Sequence, residues 1–182
     1  YVRALKEVTP KFFLYENGAS MKETEKKEIT KQLGVEPILI NSSLVSAQNR
    51  NRLYWTNIVF DKIKDKKIYV SDIVEDEKVK KSFEYTKQVK KYLSHEYDNR
   101  KIQNTISHSI TKLNEKTNTL GCGCGSPGTN TGVIIQYNNV FYKLTPVEAE
   151  RLQTLPDNYT KCKNVSDSNR YKAIGNGWTV DI

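Results

Sequence analysis

Ser46-Ala47-Gln48-Asn49-Arg50-Asn51-Arg52-Leu53-Tyr54-Trp55-Thr56-Asn57-Ile58 places charge and aromatic bulk on what otherwise looks like a buried element. As extended backbone, its period of two puts Gln48, Arg50 and Arg52 on one face and Leu53 and Trp55 on the other. One face is apolar and the other is a row of hydrogen-bond donors. Two guanidiniums and an amide in line can fork onto phosphates or onto the edge of a planar base. An edge strand with a solvated basic face would carry the same letters. What lies on either side bears on the choice.

Upstream, Tyr1 to Val8 reads as an amphipathic helix closed by Pro10, and Lys11-Phe12-Phe13-Leu14-Tyr15 as a short buried parallel strand. That strand would end in Glu16-Asn17-Gly18, which places Glu16 at a carboxyl end, where open α/β sheets hold their ligands. A solvated loop carboxylate is the plainer alternative. Ser20-Met21-Lys22-Glu23 has the form of a capping box, with Met21, Ile29 and Leu33 as an apolar stripe and Gly34 as the stop. Glu36 to Asn41 and Ser46 to Phe60 follow as strands. Strand, helix, strand, strand is a piece of an α/β sheet with a helical crossover.

The whole chain of 182 residues has 29 Lys and Arg against 21 Asp and Glu, a net charge of +8, which favours a polyanionic partner over an acidic protein surface. With 37% hydrophobic and 10% aromatic residues it can build one core and a small second lobe. No apolar run approaches the roughly 18 residues that span a bilayer, and no signal-peptide pattern opens the chain. Three cysteines, Cys122, Cys124 and Cys162, are an odd count that suits free thiols in a reducing compartment. The chain opens at Tyr1 inside a helix and closes at Ile182 as Trp178-Thr179-Val180 starts another element, so a piece of a longer protein is expected.

From Asp61 to about Leu120 the periodicity weakens. Lys62, Lys64, Lys66, Lys67, Lys78, Lys80, Lys81, Lys87, Lys90 and Lys91 alternate with Tyr69, Phe83, Tyr85, Tyr92 and Tyr97, as in a small irregular lobe. Its lysines either contact phosphate or only keep the lobe soluble. His95 and His108 lie far from any cysteine at zinc spacing, and Cys122-x-Cys124 lacks two further ligands, so no metal is expected. Gly121 to Gly128 lacks the Gly-Lys-Ser/Thr ending of a phosphate-binding loop and reads as a flexible loop whose backbone can approach a partner. Asn138-Asn139 between Val133-Ile134-Ile135-Gln136-Tyr137 and Val140-Phe141-Tyr142 marks a hairpin. Thr145-Pro146-Val147-Glu148 is a capping box with proline at the first helical position, opening a helix to about Gln153.

Four separated blocks now stand in one order: Phe12-Phe13-Leu14-Tyr15-Glu16-Asn17; Gln48-x-Arg50-x-Arg52-Leu53-Tyr54-Trp55; Lys143-Leu144-Thr145-Pro146-x-Glu148-x-x-Arg151-Leu152-Gln153; and Gly175-Asn176-Gly177-Trp178-Thr179-Val180. Together they resemble the C-terminal portion of a DNA cytosine-5 methyltransferase of bacterial or phage type, with wording similar also to the vertebrate de novo enzymes. The resemblance implies an α/β fold, an incomplete Rossmann-like S-adenosylmethionine-dependent methyltransferase fold with a small irregular target-recognition lobe. It divides the chain into 1–60 and 140–182 for the catalytic domain and 61–139 for target recognition.

The chemistry implied is addition of a cysteine to C6 of a cytosine flipped out of duplex DNA, methylation at C5 from S-adenosyl-L-methionine, and elimination to restore the ring. On that template Glu16 holds N3 and the exocyclic amine, Arg52 reaches O2 or the adjoining phosphate, and Arg50 lies on phosphate and against Glu16. Asn176, Gly177 and Trp178 line the cofactor pocket. DNA contacts are expected from Gln48, Arg50, Arg52, Lys116 and Thr119. The implied partners are double-stranded DNA and an N-terminal half of the catalytic domain, and the implied place is the cytoplasm of a bacterium or of a phage-infected cell. Two departures stand out: Gly18 replaces the family's usual valine, and Thr154-Leu155 its Gly-Phe. The chain also carries no glycine-rich cofactor turn, and none of its cysteines follows a proline, so it is expected to be inactive alone. The rival reading is a catalytically inactive DNA-binding module derived from such an enzyme.

Overall fold

The computed structural model describes residues 1–87, 90, 110–125 and 132–182. Lys91, Tyr92, His95, Tyr97 and His108, and the Ser126-Pro127-Gly128 end of the glycine-dense loop, lie outside the described residues. Two compact units are present, one of residues 1–41 and 51–63, the other of residues 42–50 and 64–182.

The first unit holds α1 (Val2–Val8), β1 (Leu14–Gly18), α2 (Glu23–Leu33), β2 (Ile38–Asn41) and β3 (Asn51–Thr56). Its sheet has the order β1-β3-β2, and β3 runs antiparallel to both neighbours. The strands β1 and β2 are therefore parallel to each other, joined by the helical crossover α2 as expected, with β3 inserted between them. The expectation of β1 as a strand in parallel pairing is corrected: its pairing, among the described residues, is with antiparallel β3. Its start is corrected too. The Asn57 side chain accepts from Phe13 N and donates to the Lys11 carbonyl, both at 3.0 Å, and so occupies the positions a ladder would use. Extended pairing begins at Leu14, and Glu16 sits mid-strand opposite Tyr54 rather than in a loop beyond the strand.

The period of two holds inside β3. Leu53 and Trp55 are buried with Leu33, and Leu5, Tyr15, Met21 and Ile29 pack around them. Trp55 Nε1 donates to Thr30 Oγ1 at 2.9 Å, which satisfies the indole inside an apolar cluster. Gly34 closes α2 with φ 70°, a left-handed conformation that glycine adopts without strain. The N-terminus of α2 departs from expectation: Lys22 is the N-cap and no side chain caps it, so Ser20 does not form a capping box.

The second unit is built on β4 (Ile110–Lys112), β5 (Ile134–Tyr137) and β6 (Val140–Lys143), with β4-β5 parallel and β5-β6 antiparallel. Asn138 and Asn139 have φ 49° and 59°, the two-residue turn whose twist matches that of the flanking strands. A domain boundary at 139/140 passes through this hairpin. Packed with the sheet are α3 (Glu77–Lys80), α4 (Pro146–Leu152) and α5 (Asp167–Asn176). Val70, Leu120, Ile135, Leu144, Leu152 and Ile174 form the core.

The capping box of α4 forms as expected: Glu148 N donates to Thr145 Oγ1 at 3.1 Å and Thr145 N to Glu148 Oε2 at 2.9 Å. The same carboxylate receives Lys80 Nζ at 2.8 Å, and both groups are buried. Lys80 is thus neither a solubilising nor a phosphate-facing lysine. Burial lowers its pKa, against the opposing pull of Glu148. Glu150, also buried, receives Asn158 N, Thr160 N and Arg170 Nη2 and pins the turn after α4. Burial alone would push its carboxyl up, but the hydrogen bonds from Thr160, Arg170 and Asn158 outweigh it and hold it below its ordinary range.

Two outcomes are expected. Thr30→Val strands the Trp55 N–H in an apolar cluster and should cost about 1–3 kcal/mol, read as a lower urea midpoint at unchanged slope. The lowered Glu150 pKa means that the unfolded chain binds its proton first as pH falls. The stability Glu150 contributes is whole above its ordinary value of 4.5 and is lost as pH drops through the folded value. Glu150→Gln should flatten that part of the acid-unfolding curve.

Candidate active site and nucleic-acid interface

On the face of the first unit's sheet opposite Trp55, Gly18 stands across from Arg52 and Glu16 across from Tyr54. From its place across from Gly18, Arg52 reaches the diagonal carboxylate, a span long side chains cover. Arg52 Nε lies 2.8 Å from Glu16 Oε1, and Nη1 donates to the Asn51 carbonyl at 2.8 Å. Both side chains are about four-fifths buried, 20% and 16% exposed. The pair offers a carboxylate acceptor beside a planar donor at a surface that water only partly reaches.

Arg50 and Gln48 do not continue this row. Extended pairing with β1 and β2 starts at Asn51, and residues 42–50 belong to the second unit. There the chain runs beside Thr117–Leu120: Thr117 N donates to Ala47 O at 2.7 Å and Asn49 N to Thr117 O at 2.8 Å. The Gln48 amide is wholly buried, donates to Leu152 O at 3.1 Å and Gln153 Oε1 at 3.3 Å, and accepts from Leu120 N at 2.7 Å. Arg50, only 6% exposed, donates from Nη1 to Leu120 O at 3.1 Å and from Nη2 to Gly177 O at 2.9 Å. A row of three solvent-facing donors is therefore corrected to one arginine about one-fifth exposed and two buried braces.

The other expected DNA contacts are also engaged within the unit. Lys116 Nζ donates to the Ser43 and Ser46 carbonyls and lies 5.3 Å from the centre of the Tyr69 ring. Thr119 Oγ1 donates to Asn49 O at 2.8 Å.

At the end of α5, a Cβ on Gly175 would come within 2.1 Å of Gly121 O and 2.3 Å of Gly121 C, so helix backbone lies directly on the glycine-dense loop. Beyond it, Gln153 ties the chain down: its Nε2 donates to Ile174 O at 3.0 Å, its Oε1 accepts from Thr179 Oγ1 at 2.9 Å, and its carbonyl accepts from Val180 N at 3.0 Å. Asn176 and Trp178 are exposed above this anchored backbone. Gln153, Gly175 and Thr179 are the site-forming residues that sequence reasoning gave no role. A polar Gln153 at the end of an otherwise buried helix was the available signal.

The family model described as C-5 cytosine-specific DNA methylase matches residues 1–182. This chain belongs to that family. Among solved structures it is similar to the Entamoeba histolytica methyltransferase EhMeth, with a TM-score of 0.71 and 17% identity over 93% of this chain and 59% of that one. It is similar also to the S. pombe Dnmt2 methyltransferase, with a TM-score of 0.70 and 18% identity over 98% and 66% of the two chains. A putative DNA modification methyltransferase encoded within an E. coli prophage gives a TM-score of 0.65 and 18% identity over 97% and 68%. At these identities the likeness speaks for the fold, the mixed α/β fold of S-adenosylmethionine-dependent C5 methyltransferases. This methylase chain spans less than two thirds of the length of the first two relatives.

Methyltransferases of this family use S-adenosyl-L-methionine. The exposed indole of Trp178 and amide of Asn176, on backbone fixed from beneath, fit an aromatic and hydrogen-bonding group of that kind. Among the described residues, no group of His, Cys, Asp and Glu could hold a metal ion, and no helix is long and apolar enough to cross a membrane. The thiol of Cys124 is buried and pushed up to about 11, while Cys122 and Cys162 are exposed.

The close approach at Gly175 sets an expectation. Gly175→Ala forces helix and loop backbones apart and should cost at least about 1–3 kcal/mol, the range for overpacking, measured as a fall in the thermal midpoint.

Proposed function

We propose that this methylase chain supplies the base-gripping and DNA-docking part of a DNA cytosine-5 methyltransferase, and that Glu16 and Arg52 hold a cytosine flipped out of the duplex. The observation that carries this reading is the 2.8 Å pair of Glu16 and Arg52, partly open to solvent on one sheet face. The reacting edge of cytosine presents a donor at N4 and acceptors at N3 and O2. A carboxyl group can accept from N4 and share a proton with N3, and a guanidinium can donate to O2 or to the flanking phosphate. As a thiolate adds to C6, charge builds on the ring at N3, and a proton held there by Glu16 offsets it. Arg52 keeps the carboxyl aimed until the base arrives. The bound cofactor supplies the methyl group, and Asn176 and Trp178 help hold it. The nucleophilic cysteine and the remaining cofactor contacts belong to the rest of the catalytic domain on this reading.

Residues 61–139 would dock on the duplex, helped by the whole chain's net charge of +8, in the cytoplasm of a bacterial or phage-infected cell. An inactive DNA-binding module shares this docking and differs in having no methyl transfer. With the complete catalytic domain, tritiated methyl transfer to duplex DNA should be measurable, and Glu16→Gln should lower kcat by about two to four orders of magnitude, the range for general acid–base catalysis. An unchanged rate in that variant removes Glu16 from the chemistry. DNA affinity should fall linearly on a log–log plot against salt as counterions are released, and salt-insensitive binding counts against the docking role.

A further inference from the structure

Arg50 is a charged side chain 94% buried whose two terminal nitrogens end on main-chain carbonyls from segments 57 residues apart in sequence, Leu120 and Gly177. Gly177 O is shared with Gln153 Nε2 at 3.4 Å, and Gln153 also holds Ile174, Thr179 and Val180. Two residues earlier, Gly175 rests on Gly121, the residue after Leu120. The same two backbone segments are thus joined twice, by close contact at Gly175 and by the guanidinium fork at Arg50. Between these contacts and the Gln153 anchor lies the Asn176–Trp178 segment, whose Asn176 and Trp178 are exposed.

We propose that Arg50 is a positioning residue for the Asn176–Trp178 platform and not a phosphate contact. This rests on the reading of that platform as a cofactor surface. A planar fork suits the task, since it can hold two carbonyls at a fixed separation with little further loss of side-chain freedom. A lysine offers donors but no fork.

Acrylamide quenching of tryptophan emission in the full chain tests the inference, because Trp55 is wholly buried while Trp178 is 47% exposed. Arg50→Met should raise the quenching constant of the accessible tryptophan by about twofold as the segment gains loop motion, with Trp55 still shielded. Arg50→Lys should recover part of the difference. The slope of log Kd for duplex DNA against log salt should not move, whereas loss of a phosphate contact would take about one unit from it. Unchanged quenching in Arg50→Met, or a slope reduced by about one, overturns the proposal. If Trp55 also becomes quenchable in Arg50→Met, Arg50→Lys is read in its place against the same two criteria. In the complete enzyme, KM for S-adenosyl-L-methionine should rise in Arg50→Lys while kcat at saturating cofactor holds. A loosened Trp178 with unaltered KM would keep the clamp and remove the cofactor reading of the platform.

Discussion

A backbone carbonyl inside a protein must be given a donor, and in the second unit that requirement is met by side chains where regular structure ends. Leu152, Leu120, Ile174 and Gly177 present carbonyls at the ends of α4 and α5 and at the mouth of the glycine-dense loop. Gln48, Arg50 and Gln153 answer them, and Ser46 Oγ adds a bond of 2.6 Å to Leu152 O. An unmet group there would carry its whole desolvation cost, so these polar residues fix the arrangement of loops as firmly as the apolar core does. The placing of Asn176 and Trp178 and the course of Ser46–Arg50 both follow from it.

Arg50 and Arg52 are two residues apart and have opposite circumstances. The first has become part of the interior and serves the main chain. The second lies on a sheet face with a carboxylate as neighbour and keeps contact with solvent. On the proposed function, the Glu16–Arg52 pair is two groups held ready for a base rather than a brace. A substrate that supplied both a donor and an acceptor could replace each partner's interaction with the other, which a tightly buried pair such as Lys80 and Glu148 could not permit.

Local rules were legible in the sequence wherever a residue acted through its own backbone or near neighbours. Gly34, the Asn138-Asn139 turn, the Thr145 capping box and the alternation of Leu53 and Trp55 all needed only short-range chemistry. The ordered blocks around Glu16, Arg52, Arg151 and Gly175 carried the family. What stayed hidden depended on partners remote in sequence. Gln48 meets Leu152 across 104 positions, and Lys80 meets Glu148 across 68, so an amide and a lysine that look solvated are interior. The Asn57 side chain displaced the start of β1 across 44 residues. Ser20 matched a capping pattern, yet the helix began later, at Glu23.

The hairpin turn carries one more consequence. Asn138 and Asn139 both hold left-handed backbone, and from them the register follows with Ile135 across from Tyr142 and Ile134 across from Lys143. Neighbouring strand residues face opposite sides, and both faces are filled here, Ile135 in the main core and Ile134 with Tyr85, so a one-residue slip of register would exchange the two. A change of length at this corner must therefore be taken up within the turn or by a bulge if both isoleucines are to keep their faces.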